Sequence, residues 1–365
     1  MSHKFPYEWN IADGYPAKGI DYHGKKVFSC FACGGGSSMG YKLAGYEVIG
    51  CNEIDPKMMA AYIANHNPKY SYLEPIQTFK LRNDLPSELY ELDILDGSPP
   101  CSSFSMAGNR QKDWGKEKKF REGQVKQELD TLFFDFIDLA KKLQPKVVVA
   151  ENVKGLLMGS AKSYVRRIYK ELDEAGYYVQ HWLLDASKMG VPQRRERVFF
   201  IALRKDLAKP FMQVKDMFDT KPYLELEFNE QAIPFTDIKE SKGIGLRVNL
   251  YPSHKILFDI REFGDADLSN ASMRSKKKNT GFNVNYAYPN RVLNTLTAHK
   301  DNACNLLWDE GRYLSKSEWI NAGTFPKDYN FMTVCSGWLI GMSVPPIMSA
   351  QIAHQIYLQW LNQLK

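Results

Sequence analysis

Lys26-Val27-Phe28-Ser29-Cys30-Phe31-Ala32-Cys33-Gly34-Gly35-Gly36-Ser37-Ser38-Met39-Gly40 joins an apolar run to a glycine-rich turn and then to a stretch able to continue as a helix. A run of this composition reads as a strand. Glycines after it let backbone N–H groups approach a ligand at a helix start, although such a turn alone is as often structural. Outward along the chain, Tyr46-Glu-Val-Ile-Gly-Cys, Leu92-Asp-Ile-Leu-Asp, Lys146-Val-Val-Val-Ala and Arg197-Val-Phe-Phe-Ile-Ala-Leu repeat the apolar run. Amphipathic stretches at 130–142 and 161–175 read as crossover helices. This alternation predicts an α/β fold with a largely parallel sheet covered on both faces.

After Arg204 the rhythm fails. Lys209-Pro, Lys221-Pro-Tyr and Ile233-Pro-Phe interrupt the chain and residues 265–290 are polar, so a different, smaller lobe is expected there. Apolar residues at helical spacing over 347–364 predict a final helix returning to the first lobe. The expected divisions are an N-terminal extension at 1–24, a main domain at 25–204, the smaller lobe at 205–332 and the return at 333–365.

The chain has 365 residues, of which 44% are hydrophobic and 25% charged, enough for a sizeable core. Its 48 Lys and Arg against 42 Asp and Glu give a formal charge of +6 and permit a polyanionic partner. Six cysteines show no doubled C-x-x-C spacing, so no metal site is expected. No leader-like or membrane-spanning apolar stretch is read, and the expectation is a cytoplasmic setting with no membrane partner.

Four further segments carry chemistry. Cys51-Asn-Glu53-Ile54-Asp55 ends the second strand, where an acid is placed to accept a ribose hydroxyl; with the glycine turn it reads as an adenosine site, of a dinucleotide or of S-adenosylmethionine. Asp96-Gly97-Ser98-Pro99-Pro100-Cys101-Ser102-Ser103-Phe104-Ser105 lies at the carboxyl end of a strand, and its prolines stiffen the approach to one thiol, against the alternative of an inert buried cysteine. Glu151-Asn152-Val153 puts a carboxylate at the same sheet edge, or a salt-bridged structural acid. In Gln193-Arg194-Arg195-Glu196-Arg197, alternation places Arg195 and Arg197 on one face, toward phosphate or base, or on a solvated ion-paired surface.

In order and spacing these segments, with a closing Gly341-Met-Ser343-Val-Pro-Pro346, resemble the cytosine-C5 DNA methyltransferases over about 25–204 and 291–364. The resemblance implies an S-adenosylmethionine-dependent, Rossmann-like fold with a target-recognition lobe. It implies a DNA (cytosine-5-)-methyltransferase acting in restriction-modification or as an orphan methylase, in a bacterial or phage-infected cell. Cys101 would add to C6 of a flipped-out cytosine in duplex DNA, Glu151 would hold the N3/N4 edge and protonate N3, Arg197 would steady the base, and Arg195 would assist.

S-adenosylmethionine, leaving as S-adenosylhomocysteine, would contact Phe31, Ala32, Gly34, Gly35, Gly36, Glu53, Ile54, Pro99, Leu132 and Ser343. DNA contacts would come from Ser105, Arg110, Asn152, Gln193, Lys276 and Lys277, with 102–126 closing as a basic loop on a monomeric enzyme. The basic run Arg274-Ser-Lys276-Lys277-Lys278 also reads as a disordered loop. The chain departs from the family at Cys33, where glycine is usual, at Glu74-Pro75-Ile76, at Ser317 and at Met342. The Cys-Phe-Thr triplet typical of tRNA-modifying relatives is absent. A silent DNA-binding regulator would have no need of Cys101, Glu151 and Arg197 together, and a nucleotide-dependent oxidoreductase leaves Pro-Pro-Cys unexplained.

Overall fold

The computed structural model describes residues 4–100, 131–158, 161–216, 219–241, 250–276, 284–299 and 304–364. The chain forms two compact units. The larger comprises residues 15–184, 196–227 and 349–365, and the smaller 1–14, 185–195 and 228–348.

In the larger unit the apolar runs become β1 (Lys26–Cys30), β2 (Glu47–Glu53), β3 (Tyr70–Leu73), β4 (Ile94–Gly97), β5 (Val147–Val153), β6 (Tyr177–Asp185) and β7 (Glu196–Arg204). They make one seven-stranded sheet in the order β3-β2-β1-β4-β5-β7-β6. The pairs from β3 to β5 are parallel and β7 runs antiparallel to β5, so the expectation of a largely parallel α/β sheet holds. Between them lie α1 (Gly36–Leu43), α2 (Pro56–His66), α3 (Ile76–Phe79), α4 (Leu132–Leu143) and α5 (Lys162–Glu174).

The crossover helices at α4 and α5 match the amphipathic stretches of the sequence. The interior of α4, Phe133, Phe136, Ile137, Leu139 and Ala140, packs with Phe28, Leu95, Val148 and Phe200 in one apolar cluster. Gly97 ends β4 under α4, where a Cβ would lie 2.5 Å from the Phe136 ring. The chain turns to opposite sides of β1 on its way to β2 and to β4, and open α/β sheets bind ligands at the carboxyl ends of strands flanking such a switch point. An antiparallel pair, β8 (Met212–Asp216) and β9 (Asp219–Pro222), completes this part of the chain.

The smaller unit holds α6 (Pro252–Asp259), α7 (Leu268–Lys276), the short parallel pair β10 (Asn285–Ala287) and β11 (Asn305–Leu307), α8 (Lys316–Ala322) and α9 (Ser336–Met342). Its core gathers Leu257, Phe258, Leu268, Tyr286, Tyr288, Leu306 and Tyr313. Glu318, fully buried, receives both terminal nitrogens of Arg312 at 2.8 Å and closes a capping box with Ser315. Helix α10 (Pro346–Ile356) belongs to the larger unit from Ser349 onward.

The divisions differ from those read in the sequence, for reasons visible in hydrogen bonds. Residues 205–227 stay with the larger unit, where Pro222 O accepts from Gln180 and Tyr223 O from Trp360. Residues 185–195 join the smaller unit through Gln193 and Arg195, and the first fourteen residues do so through Trp9 Nε1 to Thr324 O. The return begins at 349 rather than 333, because 333–348 includes carbonyls held by Arg195. Among the described residues no helix is long and apolar enough to cross a membrane.

Candidate active site

Three chain segments leave the carboxyl ends of β1, β4 and β5 in the larger unit. The first is the glycine turn. Phe31 and Cys33 take left-handed backbone at φ 52° and 50°, Gly35 does so at 81°, and Gly35 N donates to Ala32 O at 2.8 Å. Glycine is obligatory at 35 for a second reason, since a Cβ would lie 2.0 Å from His66 Nε2. His66 stacks on Tyr62 in the interior, and burial together with nearby Lys42 pulls it well below its ordinary pKa.

Glu53 ends β2 beside this turn. Its Oε2 accepts from Cys33 N at 2.7 Å, and its Oε1 accepts from Ile54 N and Asp55 N at 2.8 Å each. Burial raises its pKa, and the three backbone donors work in the opposite direction. Asp55 then caps α2 through Lys57 N and Met58 N. Left-handed Cys33 thus keeps the backbone bond to Glu53 that the usual glycine would make.

The second segment follows β4. Asp96 is buried at 4% exposure and receives Ser29 Oγ, Ser37 Oγ and Tyr41 OH. Beyond it, Pro99 O accepts from Asn152 Nδ2 at 3.1 Å, which ties the chain leading to Cys101 to the third segment. Cys101, Ser105, Arg110, the 102–126 loop and Lys277 lie outside the described residues.

The third segment carries Glu151. Arg197 Nε lies 2.9 Å from Glu151 Oε1, with 12% of the Glu151 side chain and 15% of that of Arg197 exposed. Register explains the meeting: Glu151 pairs with Phe199 and Val153 with Arg197, so the two charges sit diagonally on neighbouring strands. Burial lowers the Arg197 pKa and Glu151 opposes the shift, leaving the guanidinium cationic.

Several residues expected at the site are engaged elsewhere in the structure. Arg195 does not accompany Arg197: it is 2% exposed in the smaller unit, and its guanidinium donates to Leu296 O, Gly341 O and Ser343 O. Gln193 is 1% exposed, donating to Ala322 O and accepting from Leu296 N, so its amide is engaged by main chain. Asn152, 3% exposed, is likewise taken up by Pro99 O and Val153 N. Leu132 is 1% exposed in the core, and its side chain supports the sheet instead of lining an open site. Ser343 donates its Oγ to Leu339 O. Of the basic run, Arg274 is paired with Asp265, and Lys276 is exposed at the end of α7. The sequence reading gave no role to Asp96 or His66; the acid inside an otherwise apolar strand was the available signal for Asp96.

Comparison with known proteins bears on the whole chain. A "Type II methyltransferase M.FnuDI" from Fusobacterium nucleatum is 37% identical over 182 residues, 50% of this chain and 48% of that protein. The chain thus spans about half the length of that relative. A "Type II methyltransferase M.Sau96I" from Staphylococcus aureus is 28% identical over 95% of this chain and 78% of its own length. The fold is shared with a solved putative DNA modification methyltransferase encoded within a prophage of E. coli, at a TM-score of 0.63 and 19% identity over 93% of this chain and 99% of that one. The family model of C-5 cytosine-specific DNA methylases matches residues 25–358, and with the sheet, the glycine turn and the Glu151–Arg197 pair in place, the chain belongs to that family.

Proposed function

We propose that the protein methylates C5 of cytosine in a specific duplex DNA sequence, in restriction-modification or as an orphan methylase, as a cytoplasmic monomer. The observation that carries this reading is the Glu151–Arg197 pair at the sheet edge, one residue from the Asn152 that holds Pro99 and so the approach to Cys101. The glycine turn and Glu53 suit S-adenosylmethionine. An ionised carboxylate has about four acceptor sites, and the three backbone donors on Glu53 leave room on Oε2 for a ribose hydroxyl. Bound S-adenosylmethionine would supply an electrophilic methyl group for C5 and leave as S-adenosylhomocysteine.

C5 of cytosine is a weak nucleophile, and the chain's residues answer that difficulty. The Cys101 thiolate adds to C6 of a flipped-out base, while Glu151 places a proton on N3, so the electron pair moves onto C5. Arg197 occupies Glu151 Oε1, and among the described residues Oε2 is the oxygen left to address the N3/N4 edge. Once C5 carries the methyl group, a base takes the C5 proton, the sulfur departs from C6 and the N3 proton returns to Glu151, which restores both the thiolate and the acid.

Duplex DNA containing 5-fluorocytosine tests this, because fluorine cannot leave C5 as a proton. A denaturation-resistant adduct should form with wild type and S-adenosylmethionine and vanish in Cys101→Ser. An adduct that survives that substitution rules Cys101 out, and tritium transferred from the donor to tRNA alone rules duplex DNA out.

A further inference from the structure

The proposed chemistry does not use Asp96, although it stands five residues before Cys101 in an otherwise apolar strand. Burying a carboxylate there is costly unless partners compensate, and three hydroxyls do. Ser29 Oγ and Ser37 Oγ reach Oδ2 at 2.8 Å each, and Tyr41 OH reaches Oδ1 at 3.2 Å. Ser29 lies on β1 just before the glycine turn, whereas Ser37 and Tyr41 lie on α1 just after it. One carboxylate on β4 therefore grips both ends of the turn, from the strand that leads to Cys101. Each hydroxyl has a single proton to donate, so all three can point inward only while Asp96 acts purely as an acceptor. A proton on the carboxyl turns one of those bonds around or breaks it.

We propose that Asp96 is a positioning residue that holds the glycine turn in the form that takes S-adenosylmethionine, and that uptake of one proton releases this grip. The inference rests on the methyltransferase reading above.

The groups around Asp96 are Cys30 on β1, Tyr41 on α1 and Glu151 on β5. Its charge raises the pKa of the first two, and that of Glu151 raises its own. Burial is the largest influence, the hydroxyls oppose it, and the carboxyl is pushed up to about 6. The grip is thus complete above neutrality and lost as pH falls through about 6. Stability moves the other way. The folded carboxyl holds its proton more tightly than the unfolded chain does, so the stability cost of ionised Asp96 is full above about pH 6 and declines as pH falls from there toward the ordinary carboxylate range. A group that merely braced the fold would move both quantities together. His66, the other titratable side chain under the turn, is displaced well below its ordinary value and takes up its proton at lower pH.

Calorimetric titration of the full chain with S-adenosylhomocysteine, paired with thermal unfolding, tests the inference. Wild type should bind on the order of tenfold more weakly at about pH 5 than at about pH 7.5, following one-proton linkage. Asp96→Asn, which keeps the shape but not the charge, should bind weakly at both values. Its unfolding midpoint should exceed that of wild type near neutrality, with the gap closing in acid. Ser37→Ala, which removes one donor and leaves the acid in place, should weaken binding several-fold. Wild-type affinity in Asp96→Asn near neutrality, or an unchanged acid loss in that variant, overturns the inference and turns attention to His66. Wild type that fails to bind at about pH 7.5 takes the methyltransferase reading down with it.

Discussion

In the larger unit Glu151 and Arg197 meet each other across neighbouring strands, each still partly open to an incoming molecule. In the smaller unit Arg195, two residues earlier in sequence, is closed off at 2% exposure with its guanidinium on three main-chain carbonyls. Gln193 is held in the same way, donating to Ala322 O and accepting from Leu296 N. The arrangement Gln-x-Arg-x-Arg is therefore two devices on one strand of sequence. Its first two members fasten 185–195 into the smaller unit, and its last faces the acid. Motif residues of the same chemical type divide into one that meets a carboxylate at the sheet edge and those that hold main chain, and hydrogen-bond partners tell them apart.

Substitution can break this contrast. Glu151→Gln keeps the side-chain shape and removes the proton donor, so kcat should fall by about 10²- to 10⁴-fold while S-adenosylhomocysteine affinity, measured by calorimetry, stays within about twofold of wild type. A matching loss of cofactor affinity would mean that Glu151 braces the turn instead of serving the base. Arg195→Met leaves three carbonyls without their charged donor, and the expected cost is about 3 kcal/mol of unfolding free energy, read from the urea midpoint. An unchanged midpoint with a large fall in kcat would return Arg195 to the role its spacing suggests.

Legibility in the sequence followed burial. Strands β1, β2, β4, β5 and β7 are apolar and almost wholly interior, and their runs stand out because both faces are covered. The edge strands β3 and β6 mix buried with exposed positions, and no uniform run marks them. Helix α4 was legible from a wide apolar face and α5 from a narrow stripe of Tyr164, Ile168 and Leu172. The positions of Glu53, Glu151 and Arg197 at the sheet edge were legible because side-chain direction along a strand follows from strand register. The main-chain bonds of Gln193 and Asn152 were not legible because the direction of an amide leaving a turn depends on carbonyls supplied from elsewhere, Ala322 in one case and Pro99 in the other. His66 had no local signature at all, since only the fold brings the end of α2 beneath Gly35.

Cys33 gives the smallest expected effect and the sharpest view of how the glycine turn works. A non-glycine residue in left-handed backbone carries strain of about 1 kcal/mol, and glycine would relieve it while enlarging the freedom of the unfolded chain by a similar amount. Cys33→Gly should thus change unfolding free energy by no more than about 0.5 kcal/mol. S-adenosylhomocysteine affinity should hold as well, because Glu53 is reached by the backbone N–H of residue 33 and not by its thiol. Cys33→Val makes the complementary case. A β-branched residue tolerates φ 50° poorly, so the turn should shift, the bond to Glu53 should weaken, and affinity should fall several-fold. If glycine at 33 weakens binding and valine does not, the thiol contributes a contact of its own, and the turn is no longer a device of backbone alone.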